Sequence, residues 1–422
     1  MSSSERSLTS IEICAGAGGQ AVGLHQAMFK HLALVEIDKF ACRTLRANVE
    51  GVDEWGGCEV LEEDLVKKFD TRRTMTALRR GDSDGDGGVL EPRELDLLAG
   101  GVPCPPFSHA GKQLGEDDDR DLFPRMLDIV QQLQPKAVMI ENVRGILDSK
   151  FDGYRGRIES DLEDDGRYPG GHGYQVCEWD LLEACDFGVP QLRPRALLVA
   201  IRKDILELAA LEGVKYEWPT GVSAEQITVA KALGISMAER LESLKRDHPE
   251  LADRAQNAYD KWLGDATKAD SVAPTLVGGS KKHGGADLGP SRAKAAWRAL
   301  GVDPMGVAND VKACFPERDF LRPDGPMLTV EQAAIIQGFP RGWKFEGGKT
   351  AQYRQVGNAF PPPVAKAVGE SIAQVLMAAR RAADRGAAVP QKESVSVSET
   401  SEAELAPAFA DNAADREGAL VR

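Results

Sequence analysis

In the stretch GGVPCPPFSHAGKQ (100–113), Cys104 lies between Pro103 and Pro105, just after Gly100 and Gly101. Each proline fixes its own φ and pushes the preceding residue towards extended geometry, while the glycines permit a sharp turn and close approach. Such a loop aims one sulfur in one direction, as nucleophilic chemistry by a thiolate requires. Glu141, in AVMIENV, could serve as a general acid if burial raises its pKa. In QLRPR, Gln191, Arg193 and Arg195 alternate on one strand face. Two guanidiniums there suit recognition of an anion or a carbonyl, and the fixing of Glu141.

A second group of residues suits ligand binding. AGAGG (15–19) follows the apolar run SIEIC, and a glycine turn after a strand lets backbone amides face a ligand. Glu36, in LALVEID, is placed about 20 residues further on, where an acid can accept ribose hydroxyls. No GK[ST] follows the glycines, which favours a nucleoside cofactor without a phosphate chain over a nucleoside triphosphate. Asp64, in EEDL, is either a third contact, to an adenine amino group, or a surface acid.

These groups can meet only at one edge of a sheet. SIEIC (10–14), LALVEID (32–38), LDLLAGG (95–101), AVMIENV (137–143) and RALLVAIR (195–202) read as buried strands. Helical patterns at 20–30 and in LFPRMLDIVQQL (122–133) separate them. The alternation predicts an α/β fold with a mostly parallel sheet, helices on both faces and ligands at the carboxyl edge. Residues 214–326 are polar and rich in Gly and Pro, with one helix near 236–247, and read as a second, loop-rich domain. Thr329 and Gln332 have capping-box spacing and start a helix in LTVEQAAIIQGFP (328–340). QVGNAFPPPVAKAVGESIAQVLMAA (355–379) ends in an amphipathic helix, and a low-complexity acidic tail follows. DSDGDGGVLEPRE (82–94) imitates a calcium loop, but Arg93 stands where the bidentate glutamate belongs, so a polar insertion is the better reading.

The chain has 422 residues and a formal net charge of −14, which argues against a general polyanion binder. The charge is uneven: residues 214–345 carry +1, 267–300 carry +4 and the tail 387–422 carries −4. Such a chain can still own a local phosphate-facing surface. Seven cysteines without a CxxC pair, and no histidine cluster, predict neither a disulfide framework nor a metal site. Cys42 and Cys177 read as inert packing residues. No apolar run is long enough for a membrane span, and MSSSERSLTS lacks the apolar core of an export signal. A cytoplasmic protein is expected.

The motifs in their order resemble those of the bacterial DNA (cytosine-5) methyltransferases. ICAGAGGQ and VEID are similar to that family's cofactor motifs, GGVPCPPFS to its nucleophile motif, and ENV, QLRPR, LTVEQAAIIQGFP and QVGNAFPPP to its later ones. The resemblance implies a Rossmann-like S-adenosylmethionine-dependent methyltransferase sheet with a smaller target-recognition domain. The expected division is a catalytic domain over 1–205, a target-recognition domain over 206–345, a segment 346–380 returning to the catalytic domain, and the tail 381–422. The cofactor would be S-adenosyl-L-methionine, held by Ala15, Gly16, Ala17, Gly18 and Gly19, by Glu36 on the ribose with Ile37, by Asp64 on the adenine with Leu65, and by Pro103, Asn358 and Ala359. Catalysis would fall to Cys104, adding to C6 of a flipped-out cytosine, with Glu141 at N3, Arg195 at O2, and Arg193 positioning Glu141. SHAGKQLGEDDDRD (108–121) would be the lid.

The implied partner is double-stranded DNA, with a cognate restriction endonuclease acting separately; a monomer is expected. An RNA (tRNA) cytosine methyltransferase and a DNA-binding regulator without catalysis are the alternatives. Cys14, Met28, Leu192, Glu331, Gln332 and Ile335 depart from the family pattern, and 66–95 has no counterpart in it. The changes at 331, 332 and 335 put the docking of the recognition domain in question.

Overall fold

The computed structural model describes residues 7–71, 74, 91–103, 121–221, 226–278 and 287–387. Its centre is a seven-stranded sheet in the order β3-β2-β1-β4-β5-β7-β6. The strands are β1 Leu8–Ile13, β2 Phe29–Glu36, β3 Glu59–Glu62, β4 Leu97–Gly100, β5 Ala137–Val143, β6 Tyr174–Glu183 and β7 Pro194–Arg202. β3, β2, β1, β4 and β5 run parallel, and β7 runs antiparallel between β5 and β6. All five strands expected from the sequence are present. β3 and β6 escaped notice because both are edge strands: EVLE buries only Val60, and β6 is mostly half-buried and broken by a bulge at Val176/Glu178.

Strand side chains alternate between two hydrophobic cores, one on each face of the sheet. Leu97, Ala99, Leu197, Val199 and Ile201 enter the first, with the helices Gly19–Gln26, Lys203–Leu211 and Pro362–Asp384. Leu98, Val138, Ile140, Leu198 and Ala200 enter the second, with the helices Phe123–Leu133 and Asp152–Glu163. The first helix ends at Gln26, short of the expected 30, because the chain turns through Met28 (φ 70°) straight into β2. Helix Pro362–Asp384 closes over it so tightly that a Cβ on Gly23 would stand 2.3 Å from the carbonyl oxygen of Pro362.

The region beyond Arg202 is more helical than expected. Val229–Asp247, Ala252–Ala269 and Ser291–Ala299 are helices, and no strand occurs there among the described residues. With Val330–Gln337 they build a third core around Trp262, Trp297 and Phe320. Tyr353, Val356 and Ala359 pack into that same core, so packing continues through residue 345, where a domain boundary was expected. No helix among the described residues is long and apolar enough to cross a membrane.

The expected lid lies outside the described residues except for Asp121, as does most of the calcium-like loop. Arg93 turns instead to Asp204, with Nη2 2.7 Å from Oδ2.

Candidate active site

The parallel strands bring Glu36, Gly100 and Glu141 to one edge. The antiparallel direction of β7 places its beginning there too, with Arg195 opposite Val143. Arg195 Nε lies 2.8 Å from Glu141 Oε1, and both side chains are about 15 % exposed (14 % and 15 %). Burial pushes the Glu141 carboxyl above its usual range, against the opposing pull of Arg195 and Arg193. Glu141 Oε2 lies 3.0 Å from where a Cβ on Gly101 would be, so the glycine before the cysteine loop gives the carboxylate its room. Asn142 Nδ2 donates to the carbonyl of Val102 at 3.0 Å and ties the end of β5 to that same segment. Pro103 is exposed beside it, and Cys104 lies outside the described residues.

Arg193 is placed differently from its expected role. It is 1 % exposed, donates through Nη1 to Leu276 O (2.7 Å), and through Nη2 to Gly357 O (2.7 Å) and Ala359 O (3.0 Å). Its influence on Glu141 is Coulombic, and Arg195 alone of the two is hydrogen-bonded to that carboxylate. Gln191, expected on the same strand face, is fully buried before β7 begins. Its Nε2 donates to Gln337 Oε1 (2.8 Å), and its Oε1 accepts from Leu276 N (2.7 Å). Gln337 donates in turn to Ala359 O. This buried polar hub of Gln191, Arg193 and Gln337 joins the start of β7 to the third core and to the Asn358 turn.

On the glycine side, Gly16 N donates to Glu36 Oε2 (2.7 Å), while Ile37 N and Asp38 N donate to Oε1 (2.8 Å each). The carboxylate is thus oriented before any ligand arrives, with Oε2 the less occupied oxygen. The glycines divide the work. A Cβ on Gly16 (φ 55°) would meet nothing within 4 Å, whereas one on Gly18 would strike Trp343 and Leu45, and one on Gly19 would strike Phe360 O. Gly16 alone of the three faces open space. Ala15 and Ala17 are buried around this turn, and Ile37 beside it is 64 % exposed.

Asp64 Oδ1 accepts from Val66 N (2.9 Å) and Lys67 N (3.1 Å), which hold its carboxyl below the usual range. Leu65 packs into the second core. Asn358 is exposed and Ala359 buried; a Cβ on Gly278 would stand 2.1 Å from Asn358 Oδ1. A fixed carboxylate, a second carboxylate, an uncovered glycine and an exposed isoleucine make a donor set that suits a nucleoside with a polar edge and an apolar face.

Residues 8–374 match the family described as C-5 cytosine-specific DNA methylase. The chain belongs to this family. The methylase is 45 % identical over 375 residues to the type II methyltransferase M.NaeI of Lentzea aerocolonigenes, covering 88 % of this chain and 76 % of that one. It is 41 % identical over 370 residues to the type II methyltransferase M.NgoMIV of Neisseria gonorrhoeae, covering 87 % and 98 %. A crystal structure of a DNA modification methyltransferase from an E. coli prophage shares the fold, with TM-score 0.52 and 19 % identity over 88 % of this chain and 99 % of that one. The methylase is therefore an S-adenosylmethionine-dependent DNA (cytosine-5) methyltransferase, and DNA takes precedence over RNA as substrate.

Two of the departures from the family pattern, Gln332 and Leu192, are accommodated. Gln332 Oε1 accepts from Arg240 Nη1 (2.8 Å) and from Thr329 N (3.1 Å), and its Nε2 donates to Ser236 Oγ (3.2 Å). The expected capping box is complete, and its glutamine ties helix Val330–Gln337 to helix Val229–Asp247 within the third core. Leu192 is 46 % exposed and is used through its backbone, with N donating to Ala273 O and O accepting from Thr275 Oγ1. Asn142, Gln337 and Trp343 were not singled out from the sequence; ENV and QGFP drew attention to the motifs without indicating what these amides bind.

Proposed function

We propose that Cys104, Glu141 and Arg195 form the reacting centre for a cytosine flipped out of duplex DNA. The carrying observation is the Glu141–Arg195 pair, 2.8 Å apart, packed against Gly101 three residues before Cys104. The Cys104 thiolate adds to C6, and the electron pair of the C5–C6 bond is delocalised towards N3. Glu141, kept protonated more readily by burial, gives N3 a proton as charge builds there. Arg195 holds the cytosine O2 and keeps Glu141 aimed. C5 thereby becomes a nucleophilic carbon; once it is methylated, a base takes the C5 proton as the C6–Sγ bond breaks, Cys104 leaves as thiolate, and N3 returns its proton to Glu141, which restores the ring. Arg193 acts as a positioning residue through the Leu276, Gly357 and Ala359 carbonyls.

Bound S-adenosylmethionine supplies a methyl group on a positively charged sulfur. Glu36 would hold its ribose, Asp64 its adenine edge, Ile37 its apolar face, and the turn from Ala15 to Gly19, with Pro103, Asn358 and Ala359, the remainder. The third core, with its +4 stretch at 267–300, is the candidate recognition domain, since duplex readout needs a surface separate from the chemistry. We place the enzyme in the cytoplasm as a monomer, as the modification partner of an endonuclease acting separately.

Transfer of labelled methyl groups to mixed-sequence duplex DNA and to tRNA, comparing wild type with Cys104→Ser, tests this reading. Label recovered as 5-methylcytosine in DNA and lost in the variant is the expected result. Full activity in Cys104→Ser would overturn the covalent route.

A further inference from the structure

A cavity of about 180 Å³ opens in the third core, between helix Val229–Asp247 and the segment 309–320. It is smaller than the roughly 300–1,000 Å³ of pockets that take drug-sized ligands. The guanidinium of Arg240, 5 % exposed, forms one wall. It is held rigidly: Nη1 donates to Met327 O and Gln332 Oε1 (2.8 Å each), Nη2 to Asp319 O (3.1 Å), and the Phe320 ring lies 5.1 Å away. No carboxylate lies within ion-pair distance of it among the described residues, although the charge of the buried Asp319 acts on it from further away. Burial lowers its pKa to about 10, which leaves it a cation at neutral pH.

Besides Arg240, the lining holds one cation, Lys312, and one acid, Asp247. Lys312 is exposed at the cavity and has no ion-pair partner among the described residues. Asp247, the carboxylate of the lining, is already engaged by Ser243 Oγ (3.2 Å) and Arg246 (3.4 Å). Behind the wall, Asn309 Oδ1 accepts from Lys349 Nζ (2.7 Å) and Arg318 Nη1 (3.3 Å), and Arg318 is itself paired with the buried Asp319 carboxylate (3.1 Å), so Lys349 is the further cation nearby. A small cavity with an immobilised guanidinium and a free ammonium, its one acid turned to Ser243 and Arg246, is complementary to one compact anion.

We propose that this cavity is a phosphate socket, in which Arg240 and Lys312 hold one phosphate group. A backbone phosphate of bound DNA and free phosphate offer the same oxygens. The DNA source is favoured because a chain of net charge −14 needs local cationic sites to hold a polyanion. Such a contact would fix the duplex on the third core without reading its sequence.

The test uses the full-length enzyme and Lys312→Gln, a substitution outside the hydrogen-bonded frame of Arg240. Affinity for mixed-sequence duplex DNA is measured against salt concentration, and melting is followed in inorganic phosphate and in chloride at equal ionic strength. Loss of one phosphate contact is expected to lower the slope of log K against log salt by about 0.9, with kcat unchanged. An unchanged slope, with phosphate-specific stabilisation of the wild type that the variant lacks, would assign the socket to free phosphate. The absence of both effects would overturn the proposal. Lys312→Arg, which keeps the charge, should restore whichever effect the wild type shows.

Discussion

The indole N–H of Trp343 donates to the carbonyl oxygen of Ala17 at 3.0 Å, and its ring lies 2.9 Å from where a Cβ on Gly18 would stand. A residue far along the chain thus braces the glycine turn at Ala17 and Gly18, next to the Gly16 amide that Glu36 holds. A neutral hydrogen bond contributes roughly 0.5–1.5 kcal/mol net, so Trp343→Phe should weaken S-adenosylmethionine binding by about 2–10-fold. kcat at saturating cofactor should stay constant. Calorimetric titration and saturation kinetics check this; a lower melting temperature with unaltered cofactor affinity would reduce Trp343 to a packing residue.

Met28 holds φ at 70° with its side chain 71 % exposed, a conformation that costs an L-residue roughly 1–2 kcal/mol while its side chain packs little. Met28→Gly relieves that cost, less the extra freedom glycine has in the unfolded chain. A net gain of about 0.5–1 kcal/mol is expected, raising Tm by roughly 1–3 °C. Met28→Val, β-branched, should lower it. Activity should be the same in all three proteins, since the turn lies outside the reacting centre.

Glu141 carries a pKa raised by burial, so its folded form binds a proton more tightly than its unfolded form. The sign follows directly: its contribution to stability is full below the unfolded pKa and is lost as pH rises through the folded one. Where the protonated form is the working acid, the rate has an alkaline limb set by the same group. Glu141→Gln should remove that limb and lower kcat by about 10²–10⁴-fold. Arg195→Gln removes a cation that favours the carboxylate, so the limb should move to higher pH. A pH–rate series on the three proteins decides it, and a limb that persists in Glu141→Gln would assign it to another group.

Six cysteines have thiols that resist ionisation. Burial pushes Cys42 and Cys58 up to about 12, and Cys177 and Cys185 up to about 11; Cys14 and Cys314 are raised as well. The expectation that Cys42 and Cys177 are inert accords with this. Iodoacetamide at neutral pH should therefore label Cys104 well before the other six, since the thiolate is the reacting form. Peptide mapping at one equivalent of reagent gives the answer. Equal labelling at any other cysteine would count against a specially activated Cys104.

What could be read beforehand follows from the kind of signal each element carries. Strands buried on both faces, such as AVMIENV and RALLVAIR, are continuous apolar runs and were found; EVLE at the sheet edge has no such run. The placement of Glu36 and Glu141 at the sheet edge was legible because each lies at or near the end of an apolar strand. The role of Arg193 was not, because alternation specifies a face and not the carbonyls of Leu276, Gly357 and Ala359 that come to meet it from far along the chain. The helices of the third core were hidden for a similar reason. Ala252–Ala269 buries only Ala255, Trp262 and Ala266, too sparse an apolar stripe to stand out in a polar segment.

The helix Pro362–Asp384, which covers Gly19–Gln26, also sets an order in time. The ribosome makes β1 and its glycine turn early, but Leu24, Ala27 and Phe29 lack their cover until Val364, Val368 and Ile372 have been translated. Between the two, the whole of the third core has already been made. The half that handles chemistry is thus sealed last, by residues that follow directly on Ala359, the last contribution to the third core.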